Sequence, residues 1–466
     1  MTAPNTLITF GPHECSDLDR SAEREWLVTD GLGGYAMGTV AGLRTRRYHG
    51  LLVVAADSGA SRQLALAALD PVLVVNGERI RLATHEWASG SIDPRGHELL
   101  ARFDLLDGVP RWTWSVGAMV VQREIAMDHG HATVAVTHRL VAGSDPVRLE
   151  LTPLCTWRNA HGERHAAGEP SVEHSAAGFD FEGAYRVRGD GWTPGGEWTP
   201  GGEWYRSARL RAEAARGLSD TEDLWAAGAF DVDLAVGEAH LLTATAERVD
   251  PVCPADEIVS RARSRARGLV LAAADTTDNE TSLLVIAADQ FITHVDGSPG
   301  VIAGYPWFGA WSRDTMTSYE GLFICTRRFD EGRALLIRAA ETVSQGMLAN
   351  TADTGTLEYN TADASLWFLH AVGRHLGVTD DDSLAESVAD AVDEIVERHI
   401  AGTRYGIGMD PVDSLLVQGV DGVALTWMDA RIEGRPVTPR TGKAVEINAL
   451  WINGLRVAAD LRRRLG

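Results

Sequence analysis

The chain has 466 residues, 45% of them hydrophobic, with 43 Lys plus Arg against 65 Asp plus Glu and a formal net charge of −22. That length suits two to four domains with real cores and excludes disordered, collagen-like and disulfide-scaffold classes. The acidity argues against a nucleic-acid partner, whose affinity rests on Lys and Arg neutralising phosphates, and favours a neutral or cationic substrate.

No uninterrupted apolar run approaches the ~18 residues of a membrane span, and Met1 to Asp17 lacks both a basic stretch and a long apolar core. A cytoplasmic protein with no membrane partner is expected. Cys15, Cys155, Cys253 and Cys325 form no CxxC pair, so buried thiols are expected and a zinc knuckle is not.

From about residue 25 to 250 the pattern is one of short strands. Val72–Val75, Asn76-Gly77 and Glu78–Leu82 read as a hairpin, because Asn-Gly supplies the positive φ of a type I′ turn. Leu99–Leu106, Asp107-Gly108 and Val109–Val116 repeat that form, and β-like runs follow at Met119–Met127, Thr133–Val141 and Val147–Leu154. With no helical periods between them, they predict an antiparallel β-sandwich over 1–253. The tandem Trp-Thr-Pro-Gly-Gly-Glu over 192–203 reads as a duplicated hairpin loop, since proline with paired glycines fits poorly inside a ladder.

After Pro254 the period changes. Residues 254–275 read as a linker helix. Leu284, Ala287, Ala288, Phe291 and Val295 then place one apolar stripe on a helix. Further helices are predicted over about 314–328, 331–348, 362–377, 382–400 and 443–464, so that 276–466 forms a helical domain. The long connections, 297–313 and 401–442, hold most of the unusual chemistry, as loops on a rigid frame often do.

In the first of them, four of the seven residues from Tyr305 to Trp311 are aromatic, against 7% for the chain, and Arg313 and Asp314 follow. Aromatic faces stack on the C–H side of a pyranose while charged groups select hydroxyls, so Tyr305, Trp307, Trp311, Arg313 and Asp314 suit a sugar. The same residues also suit an aromatic core cluster with Asp314 as a helix N-cap. In the second, Asp429 lies beside Trp427 and Met428. A carboxyl group desolvated by those neighbours would hold a proton at neutral pH and could act as a general acid; alternatively it caps a turn before Glu433-Gly434. Asp363 and Glu446 each stand near a predicted helix start, where the helix dipole favours a carboxylate.

Two other patterns are decoys. Gly31-Leu32-Gly33-Gly34 is followed by no helix, so it is not a dinucleotide fingerprint. His161 and His165 lie four apart in a glycine-flanked stretch that reads as a solvated loop.

The chain resembles the glycogen debranching enzyme family, in the amylo-α-1,6-glucosidase portion of its bacterial and archaeal members. The resemblance is carried by Glu25–Tyr35, Arg44–Leu52, Tyr305–Thr315, Tyr359–Trp367, Thr426–Asp429 and Thr438–Glu446, in the family's order. It implies an N-terminal β-sandwich followed by an (α/α)6 toroid of which about half fits into this chain. It also implies hydrolysis of α-1,6 branch stubs of glycogen or related α-glucans with inversion, without metal or organic cofactor. By that comparison Asp429 resembles the general acid. Arg313 and Asp314 fall in a motif similar to one that grips the non-reducing glucose, and Tyr305, Trp307, Trp311, Asp363, Trp427 and Glu446 complete the expected substrate-binding set. The family's general base is a glutamate late in the toroid and would lie beyond Gly466, unless Glu446 or Asp314 serves instead. A catalytically silent α-glucan-binding protein and a hydrolase of another α-glucoside are the alternatives.

The Arg44–His49 segment is expected to support a domain interface or to reach the site.

Overall fold

The computed structural model describes residues 4–56, 61–143, 147–190, 196–248, 253–273, 278–351 and 357–466. It divides into two compact units, Met1–Gln290 and Phe291–Gly466, parting downstream of the boundaries expected at 253 and 275. Among the described residues no helix is long and apolar enough to cross a membrane.

The first unit is built on two antiparallel sheets. One runs, in spatial order, Thr6–Phe10, Leu100–Leu106, Val109–Val116, Met119–Met127, Thr133–Ala142, Ala239–Thr245, Tyr185–Asp190, Gly178–Phe181, Val172–Ser175. The other runs Glu197–Arg209, Thr221–Leu234, Val147–Asn159, Arg62–Val75, Gly50–Ala55, Tyr35–Thr39, Glu25–Thr29, with Glu78–Arg81 also paired to Arg62–Val75. Both expected hairpins form, on Asn76 (φ 52°) and Gly77 (φ 84°) and on Asp107 (φ 46°) and Gly108 (φ 80°). The sheets share one core, where Trp26 of one meets Trp112 of the other edge-on at 5.1 Å. The Trp112 indole N–H donates to the Val40 carbonyl at 2.9 Å, so the ring is buried without an unpaired donor.

The second copy of the duplicated hexapeptide is not a hairpin loop. Part of the first copy lies outside the described residues, but the second, Trp198–Glu203, runs within the strand Glu197–Arg209. That strand is at the sheet edge, and its register shifts between Pro200 and Glu203. A proline missing from the ladder is tolerated at an edge and a bulge, which is why the composition misled.

The helix Ala255–Ala273 packs with this unit. Its Ala255, Ile258 and Val259 lie on Val109, Ala126 and Ala135, while Arg261, Arg265 and Arg267 pair with Asp128, Asp289 and Asp107 at 2.9, 2.9 and 2.6 Å. In the next helix, Asn279–Phe291, the predicted stripe is wrong: Leu284 is 71% exposed and the buried face carries Ser282 and Val285. Val285 turns to Val270 and Ala273 of the preceding helix. Val295, expected on the same helix, belongs to the strand Ile292–Val295.

The Arg44–His49 segment finds its partners inside the β unit. Arg44 Nη2 reaches Glu222 Oε1 at 2.5 Å and Arg158 Nε reaches Glu222 Oε2 at 2.7 Å, all three buried. His49 accepts the Thr45 N–H at 3.1 Å and meets Glu25 at 2.9 Å. Gly31 and Gly33 form a turn over Asp30, whose carboxylate accepts the N–H groups of Leu32 and Gly34 at 2.7 and 2.9 Å. That closes a hairpin, with no crossover helix for a nucleotide.

The second unit holds the helices Ser312–Tyr319, Phe329–Ala340, Ala364–Thr379, Asp382–Ala401 and Val445–Leu465. Phe329–Ala340 stops short of the predicted residue 348, and Gln345 (φ 53°) and Gly346 (φ 75°) lie outside helical space. The helices Ala364–Thr379 and Val445–Leu465 approach closely at two glycines. A Cβ on Gly454 would stand 2.7 Å from Leu369, and one on Gly373 would stand 2.5 Å from Val457. Residues 297–313, expected as a loop, instead extend Ile292–Val295 into an antiparallel sheet with Ser298–Gly304 and Phe308–Ala310. The turn is Asp296-Gly297, both at positive φ, the same signal as in the first unit.

Removing a carboxylate shared by two buried cations leaves both uncompensated, at a cost of about 3–5 kcal/mol. Glu222→Ala is expected to destabilise the chain by that order, read as a lowered urea midpoint at unchanged slope.

Candidate functional site

The chemically unusual residues of the second unit converge on Arg313. Ser312–Tyr319 begins at Trp311, which makes no side-chain cap, so Arg313 and Asp314 lie in the first turn and Asp314 is not the N-cap. Arg313 Nε donates to Asp363 Oδ2 at 2.7 Å and Nη1 to Asp429 Oδ2 at 3.1 Å. Asp363 stands at the N-cap position of Ala364–Thr379 but leaves the helix uncapped, its side chain given to Arg313 instead. Its other oxygen, Oδ1, is buried with no hydrogen-bond partner among the described residues.

Burial works against the Arg313 cation, yet Asp363 and Asp429 outweigh it and hold its pKa above the ordinary guanidinium value. Burial pushes the Asp314 carboxyl up; Arg313 opposes this and Asp429 adds to it. Asp363 is raised in the same way, with Arg313 offsetting part of the desolvation. Three carboxyl groups therefore share one cation, and burial raises two of them above the ordinary carboxylate value.

Asp429 does not meet the expectation of a desolvated group. Its side chain is 47% exposed, and Trp427 beside it is 58% exposed. Its neighbour in sequence does not shield it, being itself largely exposed. Asp429 precedes a short hairpin, Arg431–Ile432 with Arg435–Pro436, turning on Glu433-Gly434.

Glu446, the second residue of Val445–Leu465, is gripped by both terminal nitrogens of Arg440, one of them at 2.8 Å to Oε2. Those bonds hold its carboxyl below the usual range. The Arg440 cation in turn feels Asp363, which links the two ion-pair groups. Arg440 was not among the residues expected to act. The usable signal was its place six residues ahead of Glu446, in a segment too rich in Pro and Gly to be only a helix cap.

Tyr305, Trp307 and Trp311 form a half-buried aromatic run leading into Arg313. Tyr305 packs against Phe291 at 6.4 Å. Trp311 Nε1 is buried with no hydrogen-bond partner among the described residues.

Arg313→Met would strand the carboxylate of Asp363, itself 3% exposed. A loss of about 3–5 kcal/mol is expected, with Asp363→Asn in the same background restoring part of it, both read by chemical denaturation.

The chain is similar to known proteins over most of its length. Residues 24–241 match the family described as glycogen debranching enzyme N terminal, and residues 286–465 match amylo-alpha-1,6-glucosidase. A glycogen debranching enzyme of Saccharomyces cerevisiae is 27% identical over 226 residues, covering 36% of this chain and 15% of the yeast protein. Among solved structures, a bacterial glucoamylase complexed with acarbose aligns at 9% identity and a TM-score of 0.47, covering 99% of this chain and 64% of its own. An inverting mannosidase of family GH92 from Bacteroides thetaiotaomicron aligns at 11% identity and a TM-score of 0.30, covering 74% and 52%. The chain thus spans less than two thirds of the length of each of these. The two family matches lie in order along most of the sequence, and the chain belongs to the glycogen debranching enzyme family.

Proposed function

We propose that this chain is a glycoside hydrolase that binds the terminal glucose of an α-1,6 branch stub of glycogen or a related α-glucan and cleaves its linkage with inversion. The observation that carries the reading is the Arg313 cluster: one guanidinium holding Asp363 and Asp429 together, with Asp314 in the same field. Family membership supplies the α-glucan. In this reading the helices of the second unit are part of an (α/α)6 toroid, and the domains run 1–253, 254–275 and 276–466.

Each residue then has a chemical task. Trp311 and Tyr305 offer flat apolar faces to the pyranose, with Trp307 in the same run. Arg313 donates to sugar oxygens with whichever N–H groups Asp363 and Asp429 leave free. Asp314, whose carboxyl burial raises above its ordinary value, offers acceptor oxygens to a hydroxyl. Asp429 is the general acid that protonates the leaving glycosidic oxygen, and its exposed side is where a polymer end can approach. A sugar seated there would exclude water from it and supply the desolvation that Trp427 does not.

Inversion needs a second carboxylate about 6.5–9.5 Å away to activate water on the opposite face of the ring. Glu446 has the ionisation a base requires, being held low by Arg440, but both of its oxygens accept from that arginine. This favours Glu446 as a sugar-binding acceptor, with Trp427 beside it. It also keeps open a second reading, an α-glucan-binding protein without turnover.

Glucose release from phosphorylase limit dextrin separates the readings. Asp429→Asn is expected to slow release by about 10²–10⁴-fold while glycogen binding persists; equal rates in the two proteins would remove Asp429 from the acid role. Saturable glycogen binding without release in the wild-type chain, weakened by Trp311→Ala, would identify the binding protein.

A further inference from the structure

The β-sandwich contains a second concentration of buried charge that the proposed reaction does not use. A cavity of ≈ 50 Å³ inside the first unit is lined by Trp26, Trp114, Arg44, Arg123 and Asp70, among others. Arg123 lies in the strand Met119–Met127, its guanidinium 4.4 Å from the centre of the Trp112 ring and 5.1 Å from that of Trp114. It is buried, and among the described residues its Nε has no hydrogen-bond partner. Nη1 of Arg44 is also buried and has none among them. Two cations from different strands and turns therefore line one cavity.

The neighbouring acids compensate them only in part. Glu222 is shared between Arg44 and Arg158. Asp70 acts on Arg123 through its field alone, its carboxylate being hydrogen-bonded by His85 Nε2 at 2.6 Å. Burial pulls Arg123 down to about 10, the mark of a cation short of compensation. In a chain of net charge −22, this is a local surplus of positive charge, walled by indoles. A buried donor without an acceptor is costly enough that native structures rarely keep one without a use.

We propose that this cavity binds a small oxyanion of the class of inorganic phosphate or sulfate, with Arg123 as the donor, Arg44 as a second cation in the wall, and Trp26 and Trp114 as apolar walls. Size supports the assignment. A water occupies about 10–15 Å³ on this measure, so the cavity holds about four oxygen-sized groups, too few for a hexose ring. Arg123 can supply charge-assisted hydrogen bonds of the kind that recognise oxyanions, and Arg44 adds positive charge beside it. Asp70, committed to His85, bounds the pocket on one side and limits it to a small ligand.

The test is titration of the full chain with inorganic phosphate, and separately with sulfate, at constant ionic strength against chloride. Tryptophan fluorescence and melting temperature are both read. Wild type should show a saturable fluorescence change and a raised Tm with the oxyanions and neither with chloride. Arg123→Met should weaken phosphate binding by about tenfold or more, while its Tm in chloride equals or exceeds that of wild type, because an apolar side chain between indoles replaces an uncompensated cation. Arg79→Met, at the exposed arginine of the Glu150 pair, should bind as wild type does. Absence of a saturable response in wild type, or unchanged affinity in Arg123→Met, overturns the proposal. Should Arg123→Met fail to fold, Arg123→Lys is read instead: it keeps the charge but loses the planar fork, and undiminished affinity in it would equally refute the assignment.

Discussion

A guanidinium sunk into the helical unit stays charged because carboxylates are supplied from two other parts of the chain. Arg313 is 13% exposed, and Asp363 and Asp429 stand 50 and 116 residues away in sequence. Desolvating such a cation is repaid only when geometry and hydrogen bonds are both good. The start of one helix, the N-cap of another and a loop are therefore held to one arrangement. Asp363 forgoes its ordinary capping bond to take part, a local loss accepted for the cluster.

The β unit handles buried charge differently. Around Glu222 both carboxylate oxygens are taken by arginines, and the remaining donors of Arg158 go to backbone carbonyls of Arg47, Asn159 and Ala160. A network satisfied in this way fixes the packing of strands and turns and offers little to a ligand. The family motif Arg44–Leu52 is thus mostly architecture, with Arg44 also among the residues lining the cavity. Around Arg313 the network stays open on the Asp429 side, where a side chain is 47% exposed. Closed and open networks use the same residue types, and what separates them is which atoms remain without a partner.

Much of this was legible before any coordinates. Asn76-Gly77 and Asp107-Gly108 marked their hairpins because backbone chirality restricts positive φ to few residues, and the helices over 364–379, 382–401 and 445–465 fell where apolar periodicity placed them. The errors have physical causes. Asp296-Gly297 carried the hairpin signal too, but the aromatic run after it drew attention to chemistry rather than to strands. Leu284 looked like a core residue because a stripe says which residues share a face, not which face is buried. The desolvation expected of Asp429 was inferred from its neighbours in sequence, and in a loop adjacent side chains diverge. The role of Arg44 could not be read at all, since its partner Glu222 lies 178 residues away.

The exposure of Asp429 bears on how the proposed acid would work. A carboxyl group desolvated within the fold would carry its proton permanently and would also raise the cost of keeping Arg313 charged beside it. An exposed one keeps the ion pair stable in the free protein, and its environment changes only when a ligand covers it. Trp427 and Met428 then matter less as shields than as parts of the surface that a sugar completes. On that view the surroundings of Asp429 are completed by substrate binding, and the buried Arg313–Asp363 pair is the fixed frame against which the change occurs.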